Sequence, residues 1–365
     1  MRVAIAGGGS GGHVFPALAT AEALRARGAE VVLVGAADGP EAAAAARAGF
    51  RFVGVRVISA QSRLSLRTLR AALLVLRAAF GVRAEVRAAD VVVGIGGFAS
   101  APAVLAARWS RRPVVVIEPN SVPGIVNRIA ARWAVAVATA FETTAGRLPR
   151  AARVVRTGNP IRPAIAAAAT DPVPFADEAR HTFRLETGRT TVLVVGGSQG
   201  ALSLDRAAAG ALALLRDRAD LQLLVSTGPA HLDVVASAID PDASLLARAV
   251  PFVERFELAL AVADLAVSRA GGGVAELAAC GVPAILVPYP HATEGHQEAN
   301  ARELERTGAA RVVPDRDLSP ERFAEEVVAL ADDRDRRHAM ADAMRAWSRP
   351  DADDRLADLV TGAAR

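Results

Sequence analysis

Twice in this chain an Ala-Asp pair leads into an apolar run that ends in a glycine loop and an alanine- and leucine-rich helical stretch. The first is Ala89-Asp90-Val91-Val92-Val93, running into Gly94-Ile95-Gly96-Gly97-Phe98. The second is Ala263-Asp264-Leu265-Ala266-Val267, running into Ser268-Arg269-Ala270-Gly271-Gly272-Gly273. Each half also opens on a similar unit. Arg2-Val3-Ala4-Ile5-Ala6 meets Gly7-Gly8-Gly9-Ser10-Gly11-Gly12-His13, and the run at residues 191–195 meets Gly196-Gly197-Ser198-Gln199-Gly200. Short apolar runs without polar alternation read as strands buried on both faces. Strand, glycine turn, helix and next strand at this spacing imply crossover connections and a parallel, doubly wound sheet. The expected fold is therefore α/β, with two Rossmann-like domains facing a central cleft.

A length of 365 residues exceeds what one ordinary core holds. The Pro/Ala-rich stretch at residues 160–174 reads as the linker. It divides the chain into a first domain at 1–162 and a second at 163–344. A charged helical end, about residues 345–365 and broken at Pro350, is expected to pack back on the first domain. Within the domains, Phe15-Pro16 reads as the start of a helix over residues 17–27 that Gly28 stops.

Composition narrows the function classes. All of the 43 basic residues are arginine, and the formal charge is +4. That balance fits a phosphate-bearing substrate or an anionic membrane surface. Aromatics are only 4%, which argues against a base-stacking platform and hence against nucleic acid. The single cysteine, Cys280, allows no disulfide within the chain and fits a reducing compartment. Met1-Arg2 leads straight into a strand, so no signal peptide is expected, and no apolar run suits a transmembrane helix.

The candidate chemistry lies in the loops. Gly7, Gly9 and Gly12 satisfy the G-x-G-x-x-G pattern of dinucleotide sites. A nicotinamide enzyme would want an acid at the end of the second strand, where this chain has Val34-Gly35-Ala36-Ala37. His13 also stands where a cofactor pyrophosphate would go. His13 reads either as a structural residue bonded to a backbone carbonyl or as a general base near neutral pH. Glu276, in the first turn after the second Ala-Asp unit, either complements the helix dipole or accepts two hydrogen bonds from a ribose-like diol. His291 and His296 flank Glu294, but no third ligand stands at a metal-site spacing. No Asp-x-Asp pair stands at a strand end to hold a metal–diphosphate, so neither metal nor cofactor is expected. Gln297 and Asn300 read as sugar-binding amides. Leu66, Leu69, Leu73, Leu76 and Phe80 form a helical stripe edged by Arg63, Arg67, Arg70 and Arg77. It reads as a core-facing helix with a solvated flank, or as an interfacial surface for anionic lipid, to which Trp109-Ser110-Arg111-Arg112 could add.

Taken together these segments resemble the MurG family, UDP-N-acetylglucosamine transferases of peptidoglycan synthesis with the GT-B fold. The resemblance is carried by residues 7–17, 94–98 and 118–121, by Gly158-Asn159-Pro160-Ile161-Arg162, and by residues 196–201, 268–276 and 288–300. They follow family order over nearly the whole chain. It implies an inverting transfer of N-acetylglucosamine from UDP-N-acetylglucosamine to the C4 hydroxyl of undecaprenyl-diphosphate-linked N-acetylmuramyl-pentapeptide. By position, Glu276 would bind the ribose and Ser198 the diphosphate. Arg162 would approach the donor from the hinge, and the Val253 backbone would meet the uracil. Asn120 and Gln297 would contact the N-acetylglucosamine, and Ser10, Gly11 and Gly12 would line the cleft near the diphosphates. His13 matches the base candidate. The resemblance also implies no metal, a place at the cytoplasmic face of the cell membrane, and contacts with cell-wall and division proteins. The chain departs from the family in the loop before Val274-Ala275-Glu276, which is one residue shorter and lacks the usual threonine. Ser10 replaces a commoner threonine, and His296 stands where some members have glutamine. The rivals are another GT-B transferase with a different acceptor, and a binding-only scaffold for nucleotide sugar.

Overall fold

A computed structural model describes residues 1–8, 11–58, 66–149, 153–197 and 200–364. The chain forms two compact units, Met1–Arg162 with Arg349–Arg365, and Pro163–Ser348. The first unit carries the strands β1 (Arg2–Ala6), β2 (Glu30–Ala36), β3 (Arg51–Val55), β4 (Val91–Gly94), β5 (Val114–Glu118), β6 (Ala136–Thr139) and β7 (Val154–Arg156). All pair in parallel, in the order β3-β2-β1-β4-β5-β6-β7. Alternate residues of β1 enter opposite layers: Ala4 and Ala6 pack on one face, Val3 and Ile5 on the other. That is why the strand is apolar from Val3 to Ala6 rather than alternating.

The second unit repeats the plan with β8 (Thr190–Val195), β9 (Leu221–Ser226), β10 (Leu246–Val250), β11 (Leu265–Ser268), β12 (Ala284–Leu286) and β13 (Ala310–Val312). Its parallel order is β10-β9-β8-β11-β12-β13. In both sheets the order reverses beside the first strand, between β1 and β4 and between β8 and β11. Ligands of such sheets bind at the carboxyl ends of the strands flanking that reversal. Those strands lead into the four glycine loops.

The structure differs from the sequence expectation in three places. The first helix is Gly11–Ala26, so it starts directly from the glycine loop and holds Pro16 inside. The stretch at 160–174 is no open linker, because it forms the helices Pro163–Thr170 and Pro172–Phe183. Each begins on a proline, whose fixed φ and missing N–H suit a first helical position. The chain end forms two helices, Arg334–Trp347 in the second unit and Ala352–Ala363 in the first. The latter places Leu356, Ala357 and Val360 in the same core layer as Val3 and Ile5.

Candidate functional site

In the first unit the loops after β1 and β4 press together backbone to backbone. Gly97 has φ +70°, and a methyl group there would stand 2.7 Å from the Gly8 carbonyl oxygen. At Gly96, with φ +93°, a methyl would meet Asn127 Nδ2 at 3.0 Å and His13 Nε2 at 3.4 Å. Glycine is required at both positions by conformation and by space. The half-buried His13 imidazole thus lies against the glycines after β4, with the Asn127 amide beside them.

Asn127 leads to a buried acid that sequence reading quoted without assigning a role. Glu118, at the end of β5, is 2% exposed. Its Oε2 accepts from Asn127 Nδ2 at 2.9 Å and from the Gly124 N–H at 3.0 Å, and its Oε1 accepts from the Asn120 N–H at 3.0 Å. Burial pushes this carboxyl up to about 7, against the pull of those donors. Glu118 therefore folds the loop that carries Asn120. The Asn120 carbonyl is held in turn by the Thr144 hydroxyl at 3.0 Å. Arg162 lies 5.0 Å above the Phe15 ring, within cation–π range. Gly11 and Gly12 open the first helix, and Ser10 lies outside the described residues.

In the second unit the organising residue is Arg269, 9% exposed at the exit of β11. Its Nη1 donates to Asp315 Oδ1 at 2.5 Å and to the Val287 carbonyl at 3.0 Å, and its Nη2 donates to Ser203 Oγ at 2.7 Å. The Ser203 hydroxyl donates to the same Asp315 oxygen at 2.7 Å. One guanidinium therefore ties the glycine loop after β11 to the first turn of the helix Leu202–Leu214 and to the segment after β12. That helix follows the glycine loop at residues 196–200, of which Ser198 and Gln199 lie outside the described residues. A methyl at Gly200, with φ +73°, would overlap the Thr227 carbonyl, so this loop rests on the segment after β9. The same two segments are pinned by His231 Nδ1 and the fully buried Asp205 Oδ2, 3.0 Å apart.

Glu276 is half-buried in the first turn of Val274–Ala279, beside the glycines at 271–273. Gln297 is brought to the same loop: its Nε2 is 3.7 Å from where a Gly271 methyl would stand, and its Oε1 accepts from the Tyr289 N–H at 2.9 Å. Asn300 is a correction to the sugar-binding expectation for its amide, since Nδ2 donates to the Ala270 carbonyl at 3.0 Å and the residue is fully buried. Val253 is buried just beyond β10. His291 stands edge-on to Tyr289 at 5.6 Å, and His296 Nδ1 lies 2.8 Å from the Thr293 carbonyl. Burial lowers the His296 pKa, which favours the neutral ring.

The stripe of the helix Leu66–Gly81 does not face the core as one reading expected. Leu69, Leu73, Leu76 and Phe80 are exposed at 61%, 58%, 40% and 63%, whereas Ala71 and Ala79 are buried. Phe80 stacks on the exposed Trp109 ring at 5.1 Å. Arg63 lies outside the described residues.

Residues 3–139 match the glycosyltransferase family 28 N-terminal domain, and residues 191–356 match its C-terminal domain. A protein of Halothermothrix orenii is 35% identical over 100% of both chains. One of Moorella thermoacetica is 39% identical over 99% of this chain and 98% of its own. Both are named UDP-N-acetylglucosamine–N-acetylmuramyl-(pentapeptide) pyrophosphoryl-undecaprenol N-acetylglucosamine transferase. Among solved structures, Acinetobacter baumannii MurG superposes with a TM-score of 0.78 at 30% identity, covering 99% of each chain. A calicheamicin glycosyltransferase at 19% identity, with a TM-score of 0.66, shares the fold.

Proposed function

The chain belongs to the MurG family within glycosyltransferase family 28, and from that membership we propose that it converts a lipid-linked N-acetylmuramyl-pentapeptide into its N-acetylglucosaminylated form. It is a hexosyltransferase. UDP-N-acetylglucosamine is the donor, and the acceptor carries its sugar on an undecaprenyl diphosphate. The observation that carries this reading is identity of 35–39% to transferases of that name over essentially the full length of both chains.

The roles of the site residues are proposed from their match to the family's motifs, and the described positions of Glu276 and Gln297 support them. In the second unit, Glu276 accepts from the ribose hydroxyls and Gln297 donates through Nε2 to the N-acetylglucosamine, both beside the glycines at 271–273. Backbone N–H groups of the loop at 196–201 hold the donor diphosphate ahead of the helix Leu202–Leu214, whose N-terminal dipole favours an anion. Ser198, Val253 and Arg162 complete the donor contacts, and Ser10, Gly11, Gly12 and Asn120 serve the reacting sugars and diphosphates. In the first unit, His13 takes the proton from the C4 hydroxyl as it attacks the anomeric carbon. The C1–O bond to UDP breaks, and the electron pair leaves on the diphosphate, stabilised by fixed dipoles and Arg162. The assay is UDP release from UDP-N-acetylglucosamine with and without a short-chain lipid-linked muramyl-pentapeptide, in EDTA. Acceptor-dependent release is expected. Donor binding without release would favour the binding-only scaffold, and release with another acceptor alone would favour a different transferase.

No helix among the described residues is long and apolar enough to cross a membrane. The exposed Leu69, Leu73, Leu76, Phe80 and Trp109, with Arg70 and Arg77 exposed alongside, support peripheral attachment to anionic lipid. That surface would set the first unit against the leaflet that carries the acceptor. Changing Leu69 and Leu73 to Ser is expected to reduce flotation with phosphatidylglycerol vesicles severalfold. Unchanged flotation would remove the lipid from this face. Contacts with cell-wall and division proteins are proposed from the family alone.

A further inference from the structure

The second unit holds a cavity of about 640 Å³ at the amino ends of its strands, walled by Thr190 and Thr191 of β8, Asp264 just before β11 and Pro283 just before β12. The glycine loops lie at the other ends of these strands. At ~3.3 Å per residue, β8 alone separates cavity and loops by about 20 Å. The volume falls within the range of small-molecule sites, roughly 300–1,000 Å³.

One wall is a face of the helix Arg334–Trp347. That helix has two characters. Met340, Met344 and Trp347 are buried and secure it to the unit. Arg334, Arg337, His338, Ala341 and Arg345, spaced 3, 4, 7 and 11 residues from the first, line the cavity instead. A helix face turned to a cavity is ordinarily apolar, whereas this one is cationic. Arg345 is accommodated by a glycine: a methyl at Gly281, whose φ is +66°, would stand 2.5 Å from Arg345 Nε. Arg180, from the helix Pro172–Phe183, and Arg189, just before β8, also line the cavity.

The charge is only partly satisfied within the protein. Arg180 donates to Asp177, Arg189 to Glu186 and Arg345 to Asp342. Arg337 spends Nη1 on the Leu330 carbonyl at 2.6 Å and on that of Ala331, and so keeps its full charge. Among the described residues, the side chains of Arg334 and His338 have no hydrogen-bond or ion-pair partner. The cavity's inner carboxylate, Asp264, has its Oδ2 engaged by the Thr191 N–H at 2.8 Å. Guanidinium forks on a helix face, with a small alanine between them, match oxyanions bidentately.

We propose that this cavity is a second, non-catalytic site for a small soluble phosphate ester carrying two or more phosphates. The proposal stands independently of the transferase assignment. The test is calorimetric titration of the full chain with inorganic diphosphate in 150 mM salt, run on the parent and on its variants. Saturable binding that depends on the arginines of this cavity is expected. Arg334→Ser combined with His338→Asn, both at exposed positions, should weaken it at least tenfold with Tm and UDP affinity unchanged. Arg345→Gln is the alternative variant if that pair fails to fold. Absence of heat, or equal affinity in the variant, would overturn the proposal. So would equal uptake of sulfate. Flotation with phosphatidylglycerol vesicles should be unchanged in the variant, and its loss would transfer the ligand to a lipid headgroup.

Discussion

His13 and Arg269 separate two ways in which one residue matters. His13 is half-buried against Gly96 and Gly97, and its proposed work is proton removal. His13→Ala should lower turnover by roughly 10²–10⁴ with little change in Tm, measured by UDP release and by calorimetry. Turnover near that of the parent would dismiss it as the base. Arg269 instead joins three segments through a buried charge. Arg269→Gln strands Asp315 and should cost about 3 kcal/mol of stability in the second unit. Urea denaturation reads that loss. Sequence reading picked out the loop but missed its architect, because Ser203 and Asp315 lie 66 and 46 residues from Arg269 and no local pattern joins them. Glu118 was likewise visible as an acid ending an apolar strand, a rare placement that asks for partners. Which partners it has, the Asn127 amide and the backbone N–H groups of Asn120 and Gly124, depends on how the chain turns after β5.

Elements carry their own tests through the glycines. Gly200 has a positive φ and no room for a methyl, whereas Gly273 has φ −62° and nothing within 4 Å of the added carbon. Gly200→Ala should therefore weaken UDP binding and lower Tm. Gly273→Ala should stabilise by about 0.4–1 kcal/mol through the unfolded chain. If Gly273→Ala also raises KM for UDP-N-acetylglucosamine, the donor passes close to that backbone. The strands and their glycine exits were legible because both-face burial leaves an unbroken apolar run. Helix starts were less so. The prolines at 163 and 172 look like breakers in the sequence, and each begins a helix. The helix Leu66–Gly81 shows the limit of a helical wheel: it identifies an apolar stripe but not the side that meets the protein, since small alanines suffice for the buried contact.

At the scale of the whole molecule, the two units share one strand order, and this repeat was the most legible feature of all. The return of the chain end to the first unit was visible as a charged helix after a proline, while its ion pairs were not. Arg27 meets Asp354 and Asp358 there, in exposed pairs worth little. Asp353 on the same helix is another matter. Burial, followed by the charges of Asp354 and Glu22, pushes its carboxyl up to about 7. The folded state thus favours the neutral acid. Its stabilising contribution is full below the ordinary carboxylate range and is lost as pH rises through about 7. Asp353→Asn should then raise Tm by a few degrees at pH 8 and by almost nothing near pH 4, a difference that a pH series of melting curves would read.

The place of that last helix also governs the order in which the protein can be made. Leu356, Ala357 and Val360 belong to the layer that covers Val3 and Ile5. A ribosome therefore delivers β1 well before its cover, with residues 163–348 emerging between them. At roughly 5–20 residues per second, that interval is on the order of 10–40 s. During it the second unit, contiguous in the chain, can complete itself on the nascent polypeptide. The first unit stays open along one layer until the helix Ala352–Ala363 has emerged.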